Sequence, residues 1–184
     1  MGTTVVGAMF SERKNRMYIG HVGDSRCYRV RDGHIQLLTR DHSLINDYLL
    51  AMPDLTEEQR SELPKNVITR ALGMQDQVVV DLQHDEPTPG DVYVLCSDGL
   101  SGMVQDDEIE KIIVGNPDIR DACAKLIARA NEHGGEDNVT AVLIKIEEQI
   151  EASTEEIPIA RTKTDAATDG DETTSPGPGG VRPK

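Results

Sequence analysis

The sequence has 184 residues and a formal net charge of −14, enough chain for one domain with a core and little room for a second. Its acidic balance argues against a nucleic-acid partner, because affinity for phosphates rests on lysines and arginines. No apolar run approaches the ~18 residues of a membrane span, and no basic-then-apolar leader opens the chain.

The elements follow from periodicity and turn residues. Thr3–Phe10 has strand composition and starts almost at the first residue. Met17–Val22 is a second strand, joined to it by a hairpin. Gly23-Asp24-Ser25-Arg26 interrupts before Cys27–Val30 resumes. Arg31-Asp32-Gly33 suits a hairpin turn with positive φ, and His34–Leu38 closes the meander. Leu44–Ala51 is a helix capped from Asp41-His42-Ser43. After Met52-Pro53-Asp54, Thr56 caps a short helix with Glu57 and Glu58. The stretch 44–73 reads as a mobile excursion from the sheet, and loops of such length are often functional.

Val78–Leu82 and Val92–Cys96 read as strands, the second as a buried one. Gln105–Val114 and Asp118–His133 have helical spacing, and Val139–Ile146 is the last strand. From Glu147 to Lys184 the chain has nine acidic and four basic residues and no aromatic. Such a segment buries too little apolar surface to order itself, so a disordered tail is expected and the domain is 1–146. The class is α+β, with helices covering antiparallel sheet. Cys27, Cys96 and Cys123 form no Cys-x-x-Cys pair, so neither a structural zinc site nor a disulfide framework is expected, and the setting is reducing and cytoplasmic.

Three aspartates share one local pattern. Asp24 follows the strand ending at Val22, Asp98 follows Cys96-Ser97, and Asp137 precedes the strand from Val139, each within two residues of a glycine. If these strand ends converge, three carboxylates meet over one sheet edge and repel unless a cation neutralises them. Oxygen ligands without paired Cys or His favour Mg²⁺ or Mn²⁺. A plainer reading stays open: Gly-Asp-Ser as a turn, Asp98 as the cap of the helix near Gln105, Gly-Gly-Glu-Asp-Asn as a helix C-cap and loop. His21 is expected to be structural, His42 and His133 to make cap contacts, and Arg70 to meet an anion or water. Ser25 and Ser97 lack a G-x-S-x-G elbow.

Five motifs occur in a telling order: Val22-Gly23-Asp24-Ser25-Arg26, Thr39-Arg40-Asp41-His42-Ser43, Asn66-Val67-Ile68-Thr69-Arg70-Ala71-Leu72-Gly73, Leu95-Cys96-Ser97-Asp98-Gly99-Leu100 and Gly135-Glu136-Asp137-Asn138-Val139-Thr140. With them the sequence resembles the bacterial metal-dependent protein phosphatases, the protein phosphatase 2C family, from Gly2 to about Ile146. The resemblance implies a four-layer α-β-β-α sandwich of two antiparallel sheets, N-terminally incomplete, with Mg²⁺ or Mn²⁺ at one end. On it, Asp98 and Asp137 match ligands of a binuclear centre, and Asp24 with Asp98 matches those of a third, weaker ion. Ser25, Gly99 and Asn138 support them, and the excursion 44–73, with Arg70 and Gly73, matches a flap beside the active site.

The implied activity is hydrolysis of phosphoserine and phosphothreonine in proteins by metal-activated water. The implied partners are phosphoproteins, a Ser/Thr kinase among them. The family's N-terminal Arg with a Glu-Asp pair and its Asp-Gly-x-Gly-Gly-His motif have no match here. The expectation is therefore a truncated domain with an incomplete binuclear centre, no phosphate-binding Arg and no general-acid His. The competing expectation is a non-catalytic, pseudophosphatase-like module that holds a phosphoprotein or kinase.

Overall fold

A computed structural model describes residues 1–56, 58–59, 63–64 and 67–148. The expected tail lies outside the described residues from 149 onward, as does Glu57 of the expected second helix. Among the described residues seven strands, β1 (Val5–Ser11), β2 (Arg16–Val22), β3 (Arg26–Arg31), β4 (His34–Leu37), β5 (Asp81–Asp85), β6 (Val92–Cys96) and β7 (Ala141–Lys145), form two antiparallel sheets. Their orders are β1-β2-β5 and β4-β3-β6-β7. The helices α1 (Leu44–Ala51), α2 (Asp98–Ser101), α3 (Asp106–Val114) and α4 (Ile119–Glu132) accompany them among the described residues.

The β3–β4 hairpin turns through Asp32 and Gly33 at φ 50° and 79°, the paired positive φ of a type I′ turn. The expected meander is not one sheet, however. The chain leaves the first sheet at Val22 and enters the second at Arg26, and the intervening Gly23 lies at φ 109°. A Cβ on Gly23 would sit 2.3 Å from Cγ2 of Thr4, so glycine alone permits this crossing.

Strand β6 explains its own unbroken apolar run, because both of its faces are buried. Val94 and Cys96 face α3 and α4 with Tyr28, Leu100, Ile109 and Leu126. Tyr93 and Leu95 face the other sheet with Met17, Ile19 and Cys27. Each such side chain, fully withdrawn from water, contributes roughly 1.5–3 kcal/mol. Helix α4 begins where the Asp118 side chain accepts a 2.7 Å hydrogen bond from the Arg120 N–H, satisfying one of the free donors of the first turn. Thr56 and Gln59 cap each other reciprocally, Gln59 N–H to Thr56 Oγ1 and Thr56 N–H to Gln59 Oε1.

The strand expected at Val78–Leu82 lies three residues later, at Asp81–Asp85, and Val79 is 72% exposed. The inward residues of β5 are polar, which hides the strand from an apolar pattern. Each finds a partner: Asp81 accepts from Arg70, Gln83 donates to the Leu38 carbonyl, and Asp85 accepts from Arg29 and Tyr93. The outer face of the β1-β2-β5 sheet carries exposed Val5, Met9 and Leu82. Among the described residues, no helix is long and apolar enough to cross a membrane.

Candidate metal centre

Register decides which loops meet. Arg26 pairs with Cys96, and Cys96 pairs with Ala141. The loop before β3 (Gly23-Asp24-Ser25), the loop after β6 (Ser97-Asp98-Gly99) and the loop before β7 (Asp137-Asn138) therefore open at one end of the same sheet.

Two of these loops touch directly. A Cβ on Gly99 would lie 2.5 Å from the Asn138 carbonyl oxygen and 3.3 Å from that of Asp137. Ser97 Oγ donates to the Asn138 carbonyl and accepts from the Thr140 N–H, both at 3.0 Å. Asp98 is the first residue of α2 and its Oδ1 accepts from the Gly99 N–H at 3.0 Å. It is not the cap of the following helix, whose N-cap is Gln105. Asp137 Oδ1 takes the Asn138 N–H at 2.6 Å, and both residues are exposed. The plainer reading of Gly134-Gly135 also holds: both have positive φ, and the Gly135 N–H closes α4 on the Ala130 carbonyl.

Asp24 is half-buried, and burial first, then the negative charge of Asp98, raises its pKa above the ordinary carboxylate value. The charges of the two carboxylates thus oppose each other. Arg26, two residues on, offsets this least of the contributions, because its guanidinium is committed to Asp41. Its Nε lies 3.0 and 3.1 Å from the two carboxylate oxygens and its Nη2 2.7 Å from Oδ2. Ser25 is buried and shares a 2.9 Å hydrogen bond with Thr4. Oxygen donors, a deficit of positive charge and a solvent-open end suit a hard divalent cation.

Sequence reasoning missed a second cluster. His21, His42 and Asp81 are the sole trio of metal-ligating types among the described residues whose donor atoms all lie within 4.8 Å. Asp24, Asp98 and Asp137 are not drawn together that tightly. The place of a cation in the His–Asp trio is taken by Arg70, whose Nη1 lies 2.6 Å from Asp81 Oδ1. The Gly23 N–H donates to His42 Nδ1 at 3.0 Å, so the ring proton sits on Nε2, 3.3 Å from Asp81 Oδ2. Arg70 Nη1 is 3.0 Å from that Nε2; both nitrogens carry hydrogen, and the Asp81 carboxylate joins them by accepting from each.

Burial, chiefly, lowers the pKa of His42. Burial works to raise that of Asp81, but the hydrogen bonds from Arg70 and His42 outweigh it and hold it low. His21 stacks on His42 at 4.7 Å and donates from Nε2 to the Arg40 carbonyl at 2.8 Å, leaving a buried Nδ1 without a partner. Of the two residues expected in a flap, Arg70 enters this cluster, and Gly73 (φ 83°) packs so that a Cβ would meet the Met1 carbonyl at 2.5 Å. The signal for the cluster was present in the histidine of Asp41-His42-Ser43 and the arginine of Thr69-Arg70, but their meeting depends on β5.

The family described as protein phosphatase 2C matches residues 1–47. The serine/threonine phosphatase stp of Listeria welshimeri is 38% identical over 146 residues, covering 79% of this chain and 57% of that protein. Over the matched residues the chain is similar to the protein phosphatase 2C family. The crystal structure of the serine/threonine phosphatase Stp1 from Staphylococcus aureus superimposes with a TM-score of 0.73 at 36% identity, over 80% of this chain and 57% of that one. The catalytic domain of the serine/threonine protein phosphatase PstP, solved with two manganese ions, does so with a TM-score of 0.69 at 35% identity, over 80% and 60%. The chain thus spans 57–60% of the length of these protein phosphatase 2C relatives. The two antiparallel sheets expected from the family resemblance are those of these structures.

Proposed function

We propose that this chain supplies the acidic-loop part of an Mg²⁺- or Mn²⁺-dependent phosphatase acting on phosphoserine and phosphothreonine in proteins. The observation that carries the reading is that strand register opens the Asp24, Asp98 and Asp137 loops at one end of the same sheet, with the Asp98 loop packed against Asp137-Asn138. On this reading Asp98 and Asp137 hold ions of a central pair, and Asp24 with Asp98 holds a further one. Ser25, Gly99 and Asn138 fix their loops, and the segment bearing Arg70 and Gly73 borders the site as a flap. Divalent ions held there would supply Lewis acidity toward water and toward phosphoryl oxygens. The named relatives, phosphatases of serine and threonine, support the substrate class, and the manganese ions of PstP support the metal.

The chain's own contribution is geometric. Backbone hydrogen bonds at Gly99 and Asn138 orient two of the carboxylates before any ion arrives, so little ordering remains to be done on binding. We place the protein in the cytoplasm, where its three free cysteines remain thiols, with a phosphorylated Ser/Thr kinase among its substrates. The domain comprises 1–146, with 147–184 as an appended tail.

The test is Mn²⁺ binding to the whole chain, followed by electron paramagnetic resonance of free Mn²⁺, beside release of phosphate from a phosphothreonine peptide. The parent chain should bind Mn²⁺ and turn the peptide over only slowly, as an incomplete centre would, and Asp98→Asn should weaken the first and abolish the second. Binding and turnover that survive Asp98→Asn, or turnover that survives chelation, would overturn the reading.

A further inference from the structure

We propose that His42 is a positioning residue that holds the Asp24 turn in shape and couples it to the segment bearing Arg70; the metal part of this rests on Asp24 being a ligand, as argued above. His42 is 2% exposed, and its polar atoms reach three separate parts of the chain. Its N–H donates to the Gly23 carbonyl at 2.9 Å, and its Nδ1 accepts the Gly23 N–H at 3.0 Å. The two bonds clamp both sides of the residue immediately before Asp24. Its carbonyl accepts the Thr69 N–H at 2.9 Å, and its Nε2–H points at Asp81, which also holds Arg70. The stacked His21 ring closes the remaining face.

Gly23 cannot hold this turn unaided. At φ 109° it has no side chain to pack, and glycine has the largest conformational freedom to lose on ordering. The imidazole is what removes that freedom. The same ring stands between the turn and Arg70, so a shift of the 67–70 segment reaches Asp24 through one side chain. Partners that orient a ligand without touching the ion commonly change metal affinity by about 10–100-fold when removed.

Two variants separate the two ends of the ring. His42→Asn keeps an acceptor near the Nδ1 position, and His42→Gln keeps a donor near the Nε2 position without the Nδ1 acceptor. Two measurements on the whole chain read them: amide hydrogen exchange at Gly23, Asp24 and Thr69, and affinity for Mn²⁺ alone. Exchange at Gly23 and Asp24 should rise about tenfold in His42→Gln, with Mn²⁺ affinity falling about tenfold. His42→Asn should restore both to within about twofold of the parent, while Thr69 and the Arg70 segment loosen. Unchanged exchange at Gly23 in His42→Gln, or equal damage in both variants, overturns the clamp whatever the metal does. A parent chain whose Gly23 is protected by His42 but whose Mn²⁺ binding ignores Asp24→Asn overturns instead the ligand assignment and the coupling to metal drawn from it.

Discussion

The Cα of Gly99 lies so close to the Asn138 carbonyl that an added methyl would stand 2.5 Å from the oxygen. In an ordinary helix, glycine to alanine stabilises by about 1 kcal/mol. Here, within α2, Gly99→Ala must push the Asp98 and Asp137 loops apart. The expected outcome is a loss of about 1–3 kcal/mol in denaturant unfolding, with weakened Mn²⁺ binding. A variant as stable as the parent, with unchanged Mn²⁺ affinity, would show that the two loops are not mechanically joined.

Asp24→Asn should have opposite effects with and without metal. Burial and the charge of Asp98 both oppose an ionised Asp24, so in chelator the variant should melt about 2–4 °C higher, the shift that ~1 kcal/mol makes in a chain of this size. Mn²⁺ should raise the melting temperature of the parent by mass action and that of the variant by less. Thermal melts with and without Mn²⁺ check both signs.

Acid should unfold the protein partly through Asp85 and Asp91. Burial works to raise the pKa of each, but hydrogen bonds from Tyr93 and Arg29, and from Arg31 and Thr88, hold both below the usual carboxylate range. Their folded values lie below the unfolded value of about 3.9, so their stabilisation is present above about pH 4 and disappears as pH falls through the folded values. Asp91 is 1% exposed and takes two bonds from Arg31, at 2.7 and 2.6 Å. Asp91→Asn should lower stability at pH 7 by about 3–5 kcal/mol and flatten the pH dependence below pH 4. Melts from pH 7 to pH 2 provide the measurement; an unchanged acid slope would contradict it.

Arg26→Lys should not be a conservative change. The guanidinium grips Asp41 through two nitrogens and also donates to Tyr28 Oη at 3.0 Å, and Tyr28 in turn donates to Asp106 at 3.0 Å. A lysine ammonium cannot reproduce that fork, and a loss of about 1.5–3 kcal/mol is expected. Asp106→Asn should lose less in the Arg26→Lys background than alone. A double-mutant cycle checks this, and strict additivity would refute the network.

Much of the architecture is legible along the chain because it rests on short-range patterns. The apolar run Val92–Cys96, the Asp32-Gly33 turn and the stripe of Ala122, Leu126 and Ala130 each announce their element. Strand β5 does not, because its inward-facing positions are the polar Asp81, Gln83 and Asp85, whose placement depends on arginines and carbonyls from distant segments. The division of the expected meander into two sheets is equally hidden, since it depends on how Gly23 meets Thr4.

By itself, then, the sequence determined most of the element types, the acidic balance and the three aspartates at strand ends, together with five motifs in the order of one family. Those are properties of residue type and spacing along the chain. Only the tertiary structure decided that Arg26, Cys96 and Ala141 stand in one row, which opens the three loops at one end, and that His42 joins Gly23 to Asp81. Such contacts are made between residues far apart in the chain, and hydrogen bonds of that kind depend on register and packing that no local pattern encodes.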